Sequence, residues 1–233
     1  MKRIISAAAA LFILSGTASA FKEKDIKVRS EAMNKDIPVT VITPDKYKKG
    51  KDFPVIYLLH GHSGNHKSWT GDGVVGRFAD QYGIIMVLPD GEYNSWYFDS
   101  PMTPEFKYET FVAKELITYI DNNYKTRKDR SARAITGLSM GGHGAMYLGI
   151  RHQDLFGSMG SMSGGVDIRP FPQKWGISKR LGTIEEYPEN WENNTVINLT
   201  HLLQPGAMNI VIECGSEDFF YEVLLKQGIE LTQ

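Results

Sequence analysis

The segment Ala134-Ile135-Thr136-Gly137-Leu138-Ser139-Met140-Gly141-Gly142-His143-Gly144 constrains this chain more than any other stretch. An apolar run leads into a G-x-S-x-G pentapeptide, and a glycine-rich helix start follows at once. A strand that bends sharply into a helix at a serine holds the hydroxyl above a sheet; such a turn is a nucleophile elbow. It requires a sheet around it and helices to cover that sheet. The pentapeptide alone is a weak pattern in a chain with 23 glycines, so the strand before it and the helix after it carry the reading. The competing reading is an ordinary strand-to-helix turn whose serine has no chemical part.

The rest of the chain supplies the expected setting. Ile37 to Thr43 alternates as a strand does, and Pro44 ends it. Phe53 to Leu59 is a continuous apolar run closed by His60-Gly61, and Ile84 to Leu88 repeats the pattern before Pro89-Asp90-Gly91. Runs of this kind suit strands buried on both faces of a parallel sheet. Arg133 to Thr136 and Asn209 to Cys214 are read as two more. Phe111, Leu116, Tyr119 and Ile120 mark one face of a helix over about 106–124, and Met140 to Arg151 forms a second. Strands alternating with helices of this length predict an α/β fold with a mostly parallel, doubly wound sheet. The stretch 165–206, rich in proline and aromatic residues, breaks the rhythm and reads as an irregular excursion over the site.

Lys2 and Arg3, the apolar run from Ile4 to Leu14, and Ala18-Ser19-Ala20 make residues 1–20 a secretory signal peptide by pattern. The run is shorter than the roughly 20 residues that span a bilayer. One domain over 21–233 is expected, secreted or periplasmic, with no membrane association after cleavage. The net charge of −1 and the lack of a long basic run give no footprint for nucleic acid. Cys214 is the only cysteine, which excludes an internal disulfide and suggests a buried, inert thiol.

A serine hydroxyl attacks an ester only if a base takes its proton and amides receive the oxyanion. The N–H of Met140, at the start of the helix, is the first expected oxyanion donor. The loop His60-Gly61-His62-Ser63-Gly64 follows the strongest apolar run and offers the N–H of His62 as the second. His60, His62 and His66 also permit a metal-site reading, against which no later histidine cluster completes a ligand set. Past the last apolar run, Asp218 is the expected orienting acid, with Glu217 as its neighbour and a plain turn or helix-capping role as the alternative. The base should follow the acid in this architecture, yet residues 219–233 contain no histidine. His143 reads as packing beside the elbow, His152 ends its helix, and His201 lies in the irregular stretch.

Taken together, these motifs resemble the esterase D-like family of α/β-hydrolases, which includes feruloyl, acetylxylan and tributyrin esterases, S-formylglutathione hydrolases and, more distantly, mycolyltransferases. The resemblance runs from about Val28 to Val223. It rests on Leu58 to Trp69, on Asn94-Ser95-Trp96-Tyr97, on Gly137 to Gly144, and on Cys214 to Glu222. It implies Ser139 as nucleophile, Asp218 as acid, His62 and Met140 as oxyanion amides, and Trp96 with Tyr97 at the substrate pocket. It implies no cofactor, and an ester substrate that is a small molecule or linked to a polysaccharide. After Val223 the sequence departs from the family, which continues with a further strand, a histidine-bearing loop and a closing helix. The resemblance therefore implies a domain incomplete at its C-terminus, lacking the last strand and helix, with weak or absent hydrolysis. Acyl transfer, and a non-catalytic carbohydrate-binding or interaction role on the same scaffold, are the alternative functions.

Overall fold

The computed structural model describes residues 21–48 and 52–226. The signal-peptide reading of 1–20 lies outside the described residues. Seven strands form one sheet: β1 (Lys22–Ser30), β2 (Lys35–Thr43), β3 (Val55–Leu59), β4 (Ile85–Pro89), β5 (Arg133–Leu138), β6 (Ser158–Met162) and β7 (Asn209–Glu213). Their spatial order is β1-β2-β4-β3-β5-β6-β7. β1 pairs antiparallel with β2, and β2 antiparallel with β4. All pairings from β4 through β7 are parallel. This is the mostly parallel sheet that the alternation of strands and helices predicted, and it agrees with the α/β-hydrolase fold that the resemblance implied.

Two strands were not anticipated. β1 (KEKDIKVRS) is mostly exposed and polar, because charges on an edge strand block further pairing. It is held by its nine-residue register with β2, from Lys22 opposite Thr43 to Ser30 opposite Lys35. β6 (SMGSM) lacks the β-branched residues that signal a strand. Its small side chains are a packing requirement: a Cβ on Gly160 would lie 2.7 Å from Thr136 Oγ1, on the neighbouring β5.

The helices are α1 (Val74–Tyr82), α2 (Tyr108–Thr110), α3 (Ile117–Asn123), α4 (Met140–Arg151), α5 (Ile177–Leu181), α6 (Pro188–Asn194), α7 (Val196–Leu199) and α8 (Tyr221–Lys226). The helix expected over 106–124 is α2 and α3 joined by a π-helical stretch, Phe111–Leu116. Periodicity alone does not reveal such a widened turn. α4 is buried from Met140 to Ile150. It is packed against β5 and β6 and is the centrepiece of the main core, with Tyr57, Leu59, Val87, Ile135, Met159 and Phe98.

The other sheet face carries a smaller cluster, Ile42, Leu58, Met86 and Leu88 under Ala79 of α1. Along β5, Ala134, Thr136 and Leu138 face this side and are all at least partly exposed. An apolar cavity of about 640 Å³ opens there, lined by Ile56, Leu58, Trp69 and Phe78 among others. The expectation that Asn209 to Cys214 forms a strand buried on both faces is corrected here. Every residue of β7 is at least partly exposed, Val211 to 57%, because β7 is the last strand of the described sheet. Cys214 is half-buried, and burial pushes its thiol pKa up. No described helix is long and apolar enough to cross a membrane.

Candidate active site

The site is built around the junction of β5 and α4. Ser139 sits there with φ 55° and ψ −116°, a left-handed conformation that costs a non-glycine residue about 1–3 kcal/mol. Two main-chain bonds hold it in place: its N–H donates to Met162 O at 2.9 Å, and its carbonyl accepts from His143 N–H at 2.9 Å. Its side chain is half-buried and has no hydrogen-bond partner among the described residues.

The flanking glycines are fixed by proximity. A Cβ on Gly137 would lie 2.5 Å from Gly141 C and 2.7 Å from Leu59 O. One on Gly141 would strike Leu59 O and lie 2.7 Å from His60 O. The elbow is therefore pressed against the end of β3 and the loop that follows. That loop is brought to the serine at Gly61, whose Cβ would lie 3.5 Å from Ser139 Cβ.

The amides of Met140 and His62, on the two sides of this contact, were the expected oxyanion donors. Met140 is the first residue of α4, so its N–H has no acceptor within the helix, and the helix dipole favours negative charge there. The N–H of His62 has no acceptor among the described residues, although the next two amides in its loop are bound. Ser63 N–H donates to Tyr93 O at 2.8 Å, and Gly64 N–H donates to Gly61 O at 3.0 Å. The His62 ring meets Tyr93 edge-on at 4.6 Å, and burial lowers its pKa.

His60 is almost wholly buried, and both ring nitrogens are engaged by main chain. Nδ1 bonds to Gly61 O at 2.8 Å, and Nε2 accepts from Gly91 N–H at 2.7 Å. That leaves the ring no lone pair for a metal ion. Burial lowers its pKa, opposed in part by the Gly61 carbonyl and Asp90. His66 Nδ1 lies 3.4 Å from Asp90 Oδ2.

Asp218 follows β7 in the turn before α8. Its Oδ1 accepts from Phe220 N–H at 2.8 Å, and its carbonyl accepts from Tyr221 N–H at 2.9 Å. This is a turn-and-cap arrangement; Oδ2 has no partner among the described residues. Glu217 beside it is exposed. No histidine is bonded to Asp218 or to Ser139 among the described residues. His143 is fully buried, with Nδ1 on Gly165 O at 2.8 Å, its ring between Trp96, Phe98 and Tyr147, and its pKa lowered by burial to about 4. His152 Nε2 bonds to Glu109 Oε1 at 2.8 Å. His201 is exposed, with Nδ1 on Asn198 O at 2.8 Å.

Trp96 and Tyr97, expected at the substrate pocket, are 1% and 0% exposed. Trp96 donates from Nε1 to Trp175 O at 3.3 Å, and Tyr97 bonds to the backbone of His60. Neither offers a ligand an exposed surface in this structure. The partly open aromatic surface lies instead where the excursion meets the turn after β7. Trp175 stacks on Phe219 at 5.3 Å, and Phe171 packs on Trp175 and Phe220. Phe171 and Trp175 belong to the aromatic-rich stretch 165–206 noted in the sequence; their meeting with Phe219 depends on a contact across the fold that no local pattern shows.

A family model described as "Putative esterase" matches residues 30–230. The chain belongs to this esterase family. Among its relatives, this chain is 35% identical over 136 residues to an esterase of Mycobacterium tuberculosis, covering 56% of this chain and 30% of the relative. It is 28% identical over 226 residues to a diacylglycerol acyltransferase/mycolyltransferase of Mycobacterium leprae, covering 87% of this chain and 67% of that one. Its fold superposes on a ferulic acid esterase with a TM-score of 0.72 at 29% identity, over 90% of this chain and 87% of the other. The chain thus spans under a third of the mycobacterial esterase it matches.

Proposed function

We propose that the protein is a serine carboxylic-ester hydrolase, exported from the cytoplasm, that works through an acyl-enzyme on Ser139. The observation that carries this reading is the strained serine at the β5–α4 turn, within contact distance of the loop bearing the free His62 amide. Attack by Oγ on the ester carbonyl forms the Oγ–C bond. The carbonyl oxygen then takes the negative charge against the Met140 and His62 amides. The Oγ proton is lost to solvent. Collapse breaks the acyl C–O bond, and the alcohol leaves with a proton from solvent. The acyl group stays on Ser139 until water adds to it, releasing the acid and restoring the hydroxyl.

The proposed substrates are short-chain, acetyl or feruloyl esters, free or carried on a polysaccharide. Support comes from the ferulic acid esterase likeness and from the Phe171–Trp175–Phe219 surface near Asp218, which suits an aromatic acyl group or a sugar ring. Asp218 is the proposed orienting acid. Export rests on the pattern of residues 1–20, and the proposed site of action is outside the cytoplasm.

Acyl transfer to a sugar alcohol is the second reading, favoured by the similarity to the mycolyltransferase over 87% of this chain. Both readings share the acyl-enzyme. Incubation with p-nitrophenyl acetate, followed by intact-mass measurement, is expected to show a long-lived acetyl adduct on wild type and none on Ser139→Ala. Deacylation needs a base as much as acylation does, so the adduct should persist. Adding a sugar acceptor separates the routes, since an acylated sugar marks transfer and free acid marks hydrolysis. Absence of any adduct at Ser139 would favour a non-catalytic carbohydrate-binding or interaction role.

A further inference from the structure

We infer that Tyr97 is the positioning residue that sets the oxyanion loop against the nucleophile helix; this rests on the serine hydrolase reading above. Its hydroxyl makes a double contact with one peptide unit's neighbourhood: it accepts from His60 N–H at 3.1 Å and donates to His60 O at 3.2 Å. His60 is the residue at which β3 gives way to the loop carrying Gly61 and the His62 amide. The same Tyr97 ring lies on α4, the helix that begins beside Ser139. A Cβ on Gly144 would fall 2.8 Å from Tyr97 Cγ and 2.9 Å from its Cβ. A third element closes around the ring, since a Cβ on Gly91 would lie 2.5 Å from Tyr97 Cζ and 2.6 Å from its hydroxyl.

Tyr97 is therefore a rigid spacer. Its ring takes its position from Gly144 of the nucleophile helix, and its hydroxyl passes that position to the loop with the second oxyanion donor. The His60 side chain reinforces the same loop by accepting from Gly91 N–H. Tyr97 itself adopts φ 60°, a strained backbone that persists where surrounding contacts over-determine it. A transition-state donor works only if it is placed before charge develops. A misplacement of about 1 Å can cost 10²-fold. The ring is fully buried, so Tyr97 acts through the loop and not on a ligand.

The test is the rate at which a fluorophosphonate labels Ser139 in imidazole buffer, which supplies the base that no described histidine provides. Probe concentration resolves that rate into a binding step and a covalent step. The phosphonyl oxygen occupies the oxyanion position during that covalent step. Tyr97→Phe is expected to slow the covalent step at least about 10-fold while leaving the binding step within about twofold of wild type. Tyr147→Phe is the matched control, since its buried hydroxyl donates to Glu109 Oε2 at 2.7 Å. It should lower Tm to a similar extent and label at the wild-type rate.

Gly91→Ala moves the Tyr97 hydroxyl without removing it and should slow labelling in the same step. It decides the question if Tyr97→Phe does not fold. Wild-type labelling with an unaffected Tyr97→Phe, or equal slowing by Tyr147→Phe, would overturn the inference alone. A silent wild type would overturn the hydrolase reading and this inference together.

Discussion

Turnover of p-nitrophenyl acetate by the 233-residue polypeptide is expected to lie about 10⁶-fold below that of an esterase with a complete triad. The reason is that none of the described histidines is placed to take the proton from Ser139. Of the six histidines in the sequence, the structure holds His60 and His143 in the interior with main-chain partners. His152 is paired with Glu109, His66 with Asp90, and His201 lies on the surface bonded to Asn198. His62 packs edge-on against Tyr93 and has no acid bonded to its ring among the described residues.

Loss of the histidine alone in a well-studied serine hydrolase costs about 2 × 10⁶ in kcat. The oxyanion hole and binding keep about 10³–10⁴-fold over water. Steady-state kinetics with p-nitrophenyl acetate check this, and imidazole in the buffer should raise the rate as a diffusible base. A kcat on the order of 10 s⁻¹, ordinary for an enzyme, would mean that a base reaches Ser139 by a route the described residues do not provide.

Gly141→Ala is expected to destabilise the protein by about 3 kcal/mol, the upper end for overpacking a close-packed site. The added Cβ meets main-chain atoms, Leu59 O and His60 O, which cannot swing aside as a side-chain tip can. Either the start of α4 or the end of β3 must move. At this chain length the loss corresponds to a fall in Tm of roughly 6–12 °C. The loop proposed to hold the oxyanion starts at His60, so reactivity of Ser139 should fall with it, even below the transition temperature. Gly71→Ala is the control, because its Cβ would meet nothing within 4 Å. Thermal unfolding of both variants checks the claim, and equal Tm values would show that the elbow does not press on β3.

What was legible in the sequence follows from the kind of force involved. β3, β4 and β5 announce themselves because strands in the middle of a parallel sheet are apolar on both faces. The elbow announces itself because its geometry admits few residues at 137 and 141. β1 was hidden by its charges, and β6 by serine and glycine chosen for close packing.

β7 was found as a strand, but its environment was misjudged. A local apolar run says nothing of how much of the sheet lies beyond it. Trp96 and Tyr97 illustrate the same limit at the site. The resemblance put them at a substrate pocket, yet both are buried, and the Tyr97–His60 bonds join residues 37 positions apart. The turn-and-cap role that the sequence left as the alternative for Asp218 is the one its bond to the Phe220 amide shows.

The most direct measurement is mass mapping of a fluorophosphonate adduct on the purified chain. A hydroxyl on the bend at the head of α4, beside the Met140 amide and close to the loop that carries the His62 amide, should capture the phosphonyl group there once imidazole supplies a base. A single adduct on the peptide containing Ser139, lost in Ser139→Ala, is the result this account predicts. No adduct on a folded protein, or labelling that survives Ser139→Ala undiminished, would contradict it.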